Sequence, residues 1–188
     1  MLFRSDALLT AAVFQIDKGL TLDRNNGDGT RTRLQDGRQV HRGVEVTANG
    51  QVSRNLRLLA GIAYLDAEIE KTSNAALIGK KPQGVPDWQA NLYADYALGS
   101  WLPGLSVNAG LYYGGRKAID PGNLWLADSY VRLDAGVKYA HRIGSGKEVT
   151  YRLNVENLTD EKYLESTTWG ALQFGAPRTV YASASLSF

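Results

Sequence analysis

The sequence predicts an all-β fold: an antiparallel up-and-down β-barrel wall that crosses a membrane. Three observations predict it. Apolar and polar side chains alternate with period two along eight segments, near 7–19, 39–50, 55–68, 87–98, 105–115, 129–142, 149–157 and 178–188. Their connections alternate in length: 51–54, 99–104 and 143–148 are short, whereas 20–38, 69–86, 116–128 and 158–177 are long. Membrane barrels have short turns at one mouth and long loops at the other. Third, Trp88, Tyr96, Tyr113, Tyr139, Tyr151 and Phe188 stand on the apolar side at or near segment ends, as an interfacial aromatic girdle would.

The first segment is the weakest, because both of its faces are apolar near Leu8 and Leu9. The second and third follow, joined by the short connection 51–54. The fourth sets Trp88, Ala90, Leu92, Ala94, Tyr96 and Leu98 against Gln89, Asn91, Tyr93 and Asp95. In the fifth, Leu105, Val107, Ala109, Leu111 and Tyr113 oppose Ser106, Asn108, Gly110 and Tyr112. The sixth sets Val131, Leu133, Ala135, Val137 and Tyr139 against Arg132, Asp134, Gly136 and Lys138. Val149, Tyr151, Leu153 and Val155 oppose Thr150, Arg152, Asn154 and Glu156 in the seventh. The eighth alternates Val180, Ala182, Ala184, Leu186 and Phe188 with Tyr181, Ser183, Ser185 and Ser187. A soluble barrel with its apolar side inward has the same period, so periodicity alone does not choose. The aromatics, the strand lengths and the loop alternation choose lipid outside and water inside. With the last strand ending at the periplasm, every long loop faces the cell exterior.

Composition agrees. A net charge of +2 gives no electrostatic footprint for nucleic acid. No apolar run reaches the ~18 residues of a membrane helix, while a barrel strand needs only about ten, half of them polar. With Cys 0, disulfides and thiol chemistry are out. The N-terminal stretch 1–6 has none of the regions of a signal peptide, and the expectation is that the chain continues something longer.

Asn157-Leu-Thr-Asp160 followed by Tyr163, then Gly175-Ala-Pro177-Arg178-Thr179 and the terminal Phe188, resembles the C-terminal signature of TonB-dependent outer-membrane receptors. Arg42-Gly-Val-Glu45 and Gly84-Val-Pro86 are similar to pieces of the ferric-siderophore branch, including ferrichrome and related hydroxamate receptors. Thr159 stands where the family usually has an aromatic, and Asp87 where a basic residue is common. The resemblance implies a barrel of about twenty-two strands around an N-terminal plug carrying the TonB box. Residues 1–188 would then be the C-terminal portion of that barrel, plug absent. It implies uptake of ferric siderophores across the outer membrane, driven by the TonB–ExbB–ExbD system through the plug. Iron would be present only within the bound chelate, with no other cofactor. The terminal strand and Phe188 would be read by the barrel-insertion machinery. The alternative is a complete eight-stranded outer-membrane barrel with a structural or adhesive role.

Ligand candidates are aromatics and a cation of the long loops and upper lumen: Trp169, Phe174, Trp125, Tyr112, Tyr130 and Arg116. Flat aromatic walls cage a bulky, partly apolar chelate, and cations suit an anionic one. Pro177 suits the first position of a strand, Asn157 and Asp160 favour a turn, and Arg178 would reach acidic residues such as Glu165. Asp23-Arg-Asn-Asn-Gly-Asp-Gly29 has glycines and acids out of phase with a calcium loop and reads as a flexible exterior loop. Gly144-Ser-Gly-Lys147 reads as a hairpin turn, and His41 and His141 as wall or rim residues without metal-ligand spacing. No Ser/His/Asp set or paired carboxylates argue for an enzyme.

Overall fold

The computed structural model describes residues 7–144, 146–166 and 171–188. Among these residues the main sheet has eight strands: β1 (Ala7–Asn25), β2 (Arg31–Gln51), β3 (Leu56–Thr72), β4 (Trp88–Ala97), β5 (Leu105–Gly114), β8 (Tyr130–Ile143), β9 (Lys147–Glu156) and β12 (Thr179–Ser187). Two short ribbons stand in the long connections: β6 (Lys117–Ala118) with β7 (Leu126–Ala127), and β10 (Leu164–Ser166) with β11 (Gln173–Phe174). One turn of 3₁₀ helix covers Ala75–Leu77.

Every ladder is antiparallel and joins consecutive wall strands, in the order β1-β2-β3-β4-β5-β8-β9-β12. Each predicted segment is a strand. Among the described residues no ladder joins β1 to β12, so the sheet is open at both edges. This excludes the small closed barrel, in which the first and last strands pair.

The alternation works because pairing in register puts like faces side by side. Val13, Val44, Tyr64 and Trp88 form one cross-strand row, and Tyr96, Val107, Val137, Leu153 and Ala182 form another. On the opposite face lie Asn91, Tyr112 and Arg132, and lower down Asp95, Asn108, Gly136 and Asn154. Leu133, Val137, Leu153 and Val155 thus share the apolar face, and Arg132, Asp134, Arg152 and Asn154 the polar one. Tyr64 and Trp88 pack with centroids 4.8 Å apart at the upper border of the apolar face. Tyr96, Tyr139 and Tyr151 mark its lower border, Tyr139 directly opposite Tyr151. From Trp88 to Tyr96 is eight steps of about 3.3 Å, roughly 26 Å along the strand and about 20 Å across the membrane at a tilt of ~40°, the bulk of the apolar band of a membrane barrel.

One expectation is corrected. The stretch 20–38 is strand except at its tip: β1 and β2 pair up to Asn25↔Arg31, and only 26–30 turn. The Asn26 N–H donates to the Thr30 carbonyl at 3.0 Å, with Gly27 and Gly29 at positive φ, where their missing Cβ removes the strain. Along 20–38, Leu20, Leu22 and Leu34 stand among charged and polar residues, too few to mark an apolar period. Ladder hydrogen bonds form regardless, and an ordered hairpin replaces the expected flexible loop.

Candidate functional site

The long connections gather at the upper end of the wall, and side chains tie them together. Asn123, at φ 57, donates from Nδ2 to the Lys81 carbonyl at 2.9 Å and accepts the Lys81 N–H at 2.7 Å. Gln83 Nε2 donates to the Ile119 carbonyl at 2.6 Å, and the Gly84 N–H to the Ala118 carbonyl at 2.9 Å. Connections 73–87 and 115–129 are therefore one body. Lys117, buried at 7% exposure, donates from Nζ to the Glu165 carbonyl at 2.6 Å and joins the last connection to them. Burial lowers its pKa, since desolvation disfavours the charged amine.

The last connection is clamped at its base. Asn157, at φ 53 and 1% exposed, donates to the Glu161 and Ala176 carbonyls at 2.9 and 3.0 Å and accepts the Glu161 N–H at 2.8 Å. Its own N–H donates to Asp134 Oδ1 at 2.9 Å. The Arg178 N–H donates to Asp160 Oδ1 at 2.9 Å. Tyr163 stacks on Tyr130 with centroids 4.0 Å apart. A Cβ added at Gly175 would lie within the Tyr163 ring, so this position needs glycine. Below, Arg132 donates to Asp134 Oδ2 at 3.0 Å and lies 4.4 Å above the Tyr112 ring. A recess of about 310 Å³ opens on the polar face between Thr47, Gly61, Asn91 and Tyr112. A smaller one, about 160 Å³, sits at the rim between Pro86, Gln89, Lys117 and Tyr130.

A polar lumen track, an apolar outer face and clamped long loops at one mouth are the parts of a membrane receptor barrel. Residues 2–158 match the family described as TonB dependent receptor-like, beta-barrel. The chain belongs to that family. It is 33% identical over 186 residues to the ferrichrome outer membrane transporter/phage receptor of Escherichia coli (strain K12), covering 96% of this chain and 24% of that protein. The probable TonB-dependent siderophore receptor PiuA of Acinetobacter baumannii is 33% identical over 165 residues, covering 82% of this chain and 21% of that protein. Among solved structures, BauA, the ferric preacinetobactin receptor of Acinetobacter baumannii, superposes with a TM-score of 0.82 at 27% identity, over 95% of this chain and 27% of that one. The chain thus spans about a quarter of the length of these relatives. TonB-dependent receptor barrels lie in the bacterial outer membrane, and here strands make the crossing: no described helix is long and apolar enough to do so. The family is one of receptors and transporters.

Within this TonB-dependent receptor wall, the sequence-predicted ligand residues separate into two groups. Trp125, just before β7, and Phe174, on β11, stand 69% and 73% exposed. Trp125 is held there by its N–H, which donates to Asp120 Oδ1 at 2.7 Å and keeps that carboxyl below its usual range. Arg116 is exposed 3.7 Å from Asp128. Tyr112 and Tyr130 are instead engaged with Arg132 and Tyr163 in the wall and loop base. Trp169 lies outside the described residues. The expected Arg178–Glu165 contact is absent among the described residues: Arg178 is tied through its backbone to Asp160, and the Glu165 carbonyl serves Lys117. Sequence reasoning missed Lys117 and Asn123 as loop ties. Pro121-Gly122-Asn123 signals a turn, but nothing in the sequence names its partner across 42 residues.

Proposed function

We propose that this chain forms the C-terminal portion of the barrel of a receptor for TonB-dependent uptake of ferric siderophores. The barrel would have about twenty-two strands, and the plug and TonB box would belong to the receptor but not to residues 1–188. The observation that carries the proposal is a rim of long loops, cross-tied into one body, that holds Trp125 and Phe174 out toward water. Exposing ordered aromatics costs hydration free energy, which a partly apolar chelate recovers on binding. Trp125, Phe174 and Trp169 contact the chelate in this reading, with Arg116 beside them for anionic ligands. Tyr112 and Tyr130 shape the wall beneath. Iron enters only as part of the chelate. TonB–ExbB–ExbD acts through the plug, lipid covers the apolar face, and the insertion machinery reads the last strand and Phe188.

The test is ferrichrome binding to cells expressing a receptor that carries this wall, normalised for receptor level. Trp125→Ala, Phe174→Ala and Trp169→Ala should each weaken affinity by roughly five- to hundredfold, the equivalent of about 1–3 kcal/mol. Trp88→Ala, at the border of the apolar face, should leave it unchanged. Equal affinity in all four variants would return the loop aromatics to packing and remove the ligand site from this rim.

A further inference from the structure

We propose that Asp134 is the positioning residue of the last long connection, 157–178, setting where it leaves the wall and so where Phe174 stands. The ligand half of this statement rests on the siderophore reading above; the geometric half does not. The β8–β9 ladder runs upward to Ala135↔Val155. Above that pair Asn157 turns into the left-handed region at φ 53, and the Leu158 N–H returns to the Leu133 carbonyl at 2.6 Å. Between these two points the ladder has no backbone acceptor for the Asn157 N–H, and the Asp134 carboxylate supplies one at 2.9 Å. A side chain takes the place of one rung at the point where the loop begins.

Both oxygens of Asp134 are used. Oδ2 accepts from Arg132 at 3.0 Å, and that guanidinium is braced on the Tyr112 ring from the lumen side. The carboxylate is thereby fixed in orientation by two wall strands before it meets the loop. Beyond it, one residue holds both feet of the connection, because Asn157 bonds Glu161 at the ascending foot and Ala176 at the descending foot. Phe174 is two residues from Ala176, on the β10–β11 ribbon, and its neighbour Gly175 donates its N–H to the Tyr163 carbonyl at 2.9 Å. Displacing Asn157 therefore displaces Phe174. Asn at position 134 keeps one acceptor oxygen, and Ala keeps none.

The experiment begins with the ligand-free receptor carrying this wall, in detergent. Amide hydrogen exchange over 157–166 and 171–178 should speed up roughly tenfold or more in Asp134→Ala, because a buried N–H loses its acceptor. Asp134→Asn should fall between wild type and Ala, and the distant turn at 26–30 should not change. Ferrichrome and ferrioxamine B binding is then measured at equal outer-membrane receptor level. Asp134→Ala should weaken the chelate that wild type binds by about tenfold, Asp134→Asn by less. The loss should be non-additive with Phe174→Ala, as expected of one residue acting through another. Unchanged exchange in both variants would overturn the proposal, and so would faster exchange with full affinity. A wild-type receptor that binds neither chelate would sink the siderophore reading, while the exchange comparison would still decide the positioning role.

Discussion

The first and last hairpins of the wall reach the same rim by opposite means. The first extends its ladder: strands of 19 and 21 residues climb past the apolar face and meet in a turn at 26–30. The last stops early, with strands of 10 and 9 residues, and spans the gap with a connection clamped at its base by Asn157, Asp134 and Asp160. A ladder is redundant, since each rung repeats its neighbour. The clamp concentrates its bonds in three side chains, so single substitutions should matter far more there. Height above a membrane can be built either way, but only the clamped design holds a long loop in one pose.

The contrast is tested hardest at Asn157. Asn157→Ala strips partners from three part-buried backbone groups and leaves a non-glycine residue without side-chain bonds in the left-handed region, at a cost of about 3 kcal/mol. Urea unfolding of the receptor in lipid vesicles should show it, while Asn25→Ala in the first hairpin should shift the midpoint little. Equal shifts would erase the distinction between clamp and ladder. The shared wall gives the next effect. Leu92→Arg on the lipid face, midway between Trp88 and Tyr96, should cost ~2–4 kcal/mol near the bilayer midplane, whereas Asn154→Ser on the lumen side should be tolerated. The reverse order, measured by the same unfolding, would turn the wall inside out.

Gly175→Ala should follow at about 1–3 kcal/mol, since the new Cβ forces the Tyr163 ring off Tyr130. Loss of the Tyr130–Tyr163 stack would be read from tyrosine fluorescence in a variant lacking the four tryptophans. The smallest effect belongs to the first hairpin. Asp28 accepts from the Thr30 N–H and hydroxyl, which holds its carboxyl below the ordinary carboxylate range. A depressed acid stabilises the fold above its unfolded pKa and ceases to as pH falls through the folded one. Acidification below that range should therefore speed amide exchange at Thr30 without unpairing β1 from β2. Unpairing of the two strands would show that the turn, and not the ladder, holds this hairpin up.

The wall strands were legible because lipid and lumen impose opposite demands on alternate residues, and eight segments registered that demand within a few positions. The upper parts of β1 and β2 were not, because Leu20, Leu22 and Leu34 stand among charged and polar residues and carry too short a period to mark strands. At the rim, Asn157, Asp160, Tyr163 and Gly175 stood out as a motif resembling known receptors, yet the motif does not disclose that Gly175 exists to admit the Tyr163 ring. Lys117 and Asn123 act on backbone groups, which every residue has. A sequence can mark such a donor but not the carbonyl it will find.

The unbroken meander also bears on the order in which this wall can be made. Each ladder joins strands adjacent in the chain, and the lower connections are short, three residues between β8 and β9 being the shortest. Chain entropy therefore favours zippering that starts at this shortest connection, with β8 and β9 as the first pair. The 22 residues between Glu156 and Thr179 make the junction to β12 the costliest closure among the later pairings. Asn157 stands at the first step of that closure. Its side chain is positioned to gather the two feet before the final rungs form, which makes it a seam stitch as much as a hinge pin.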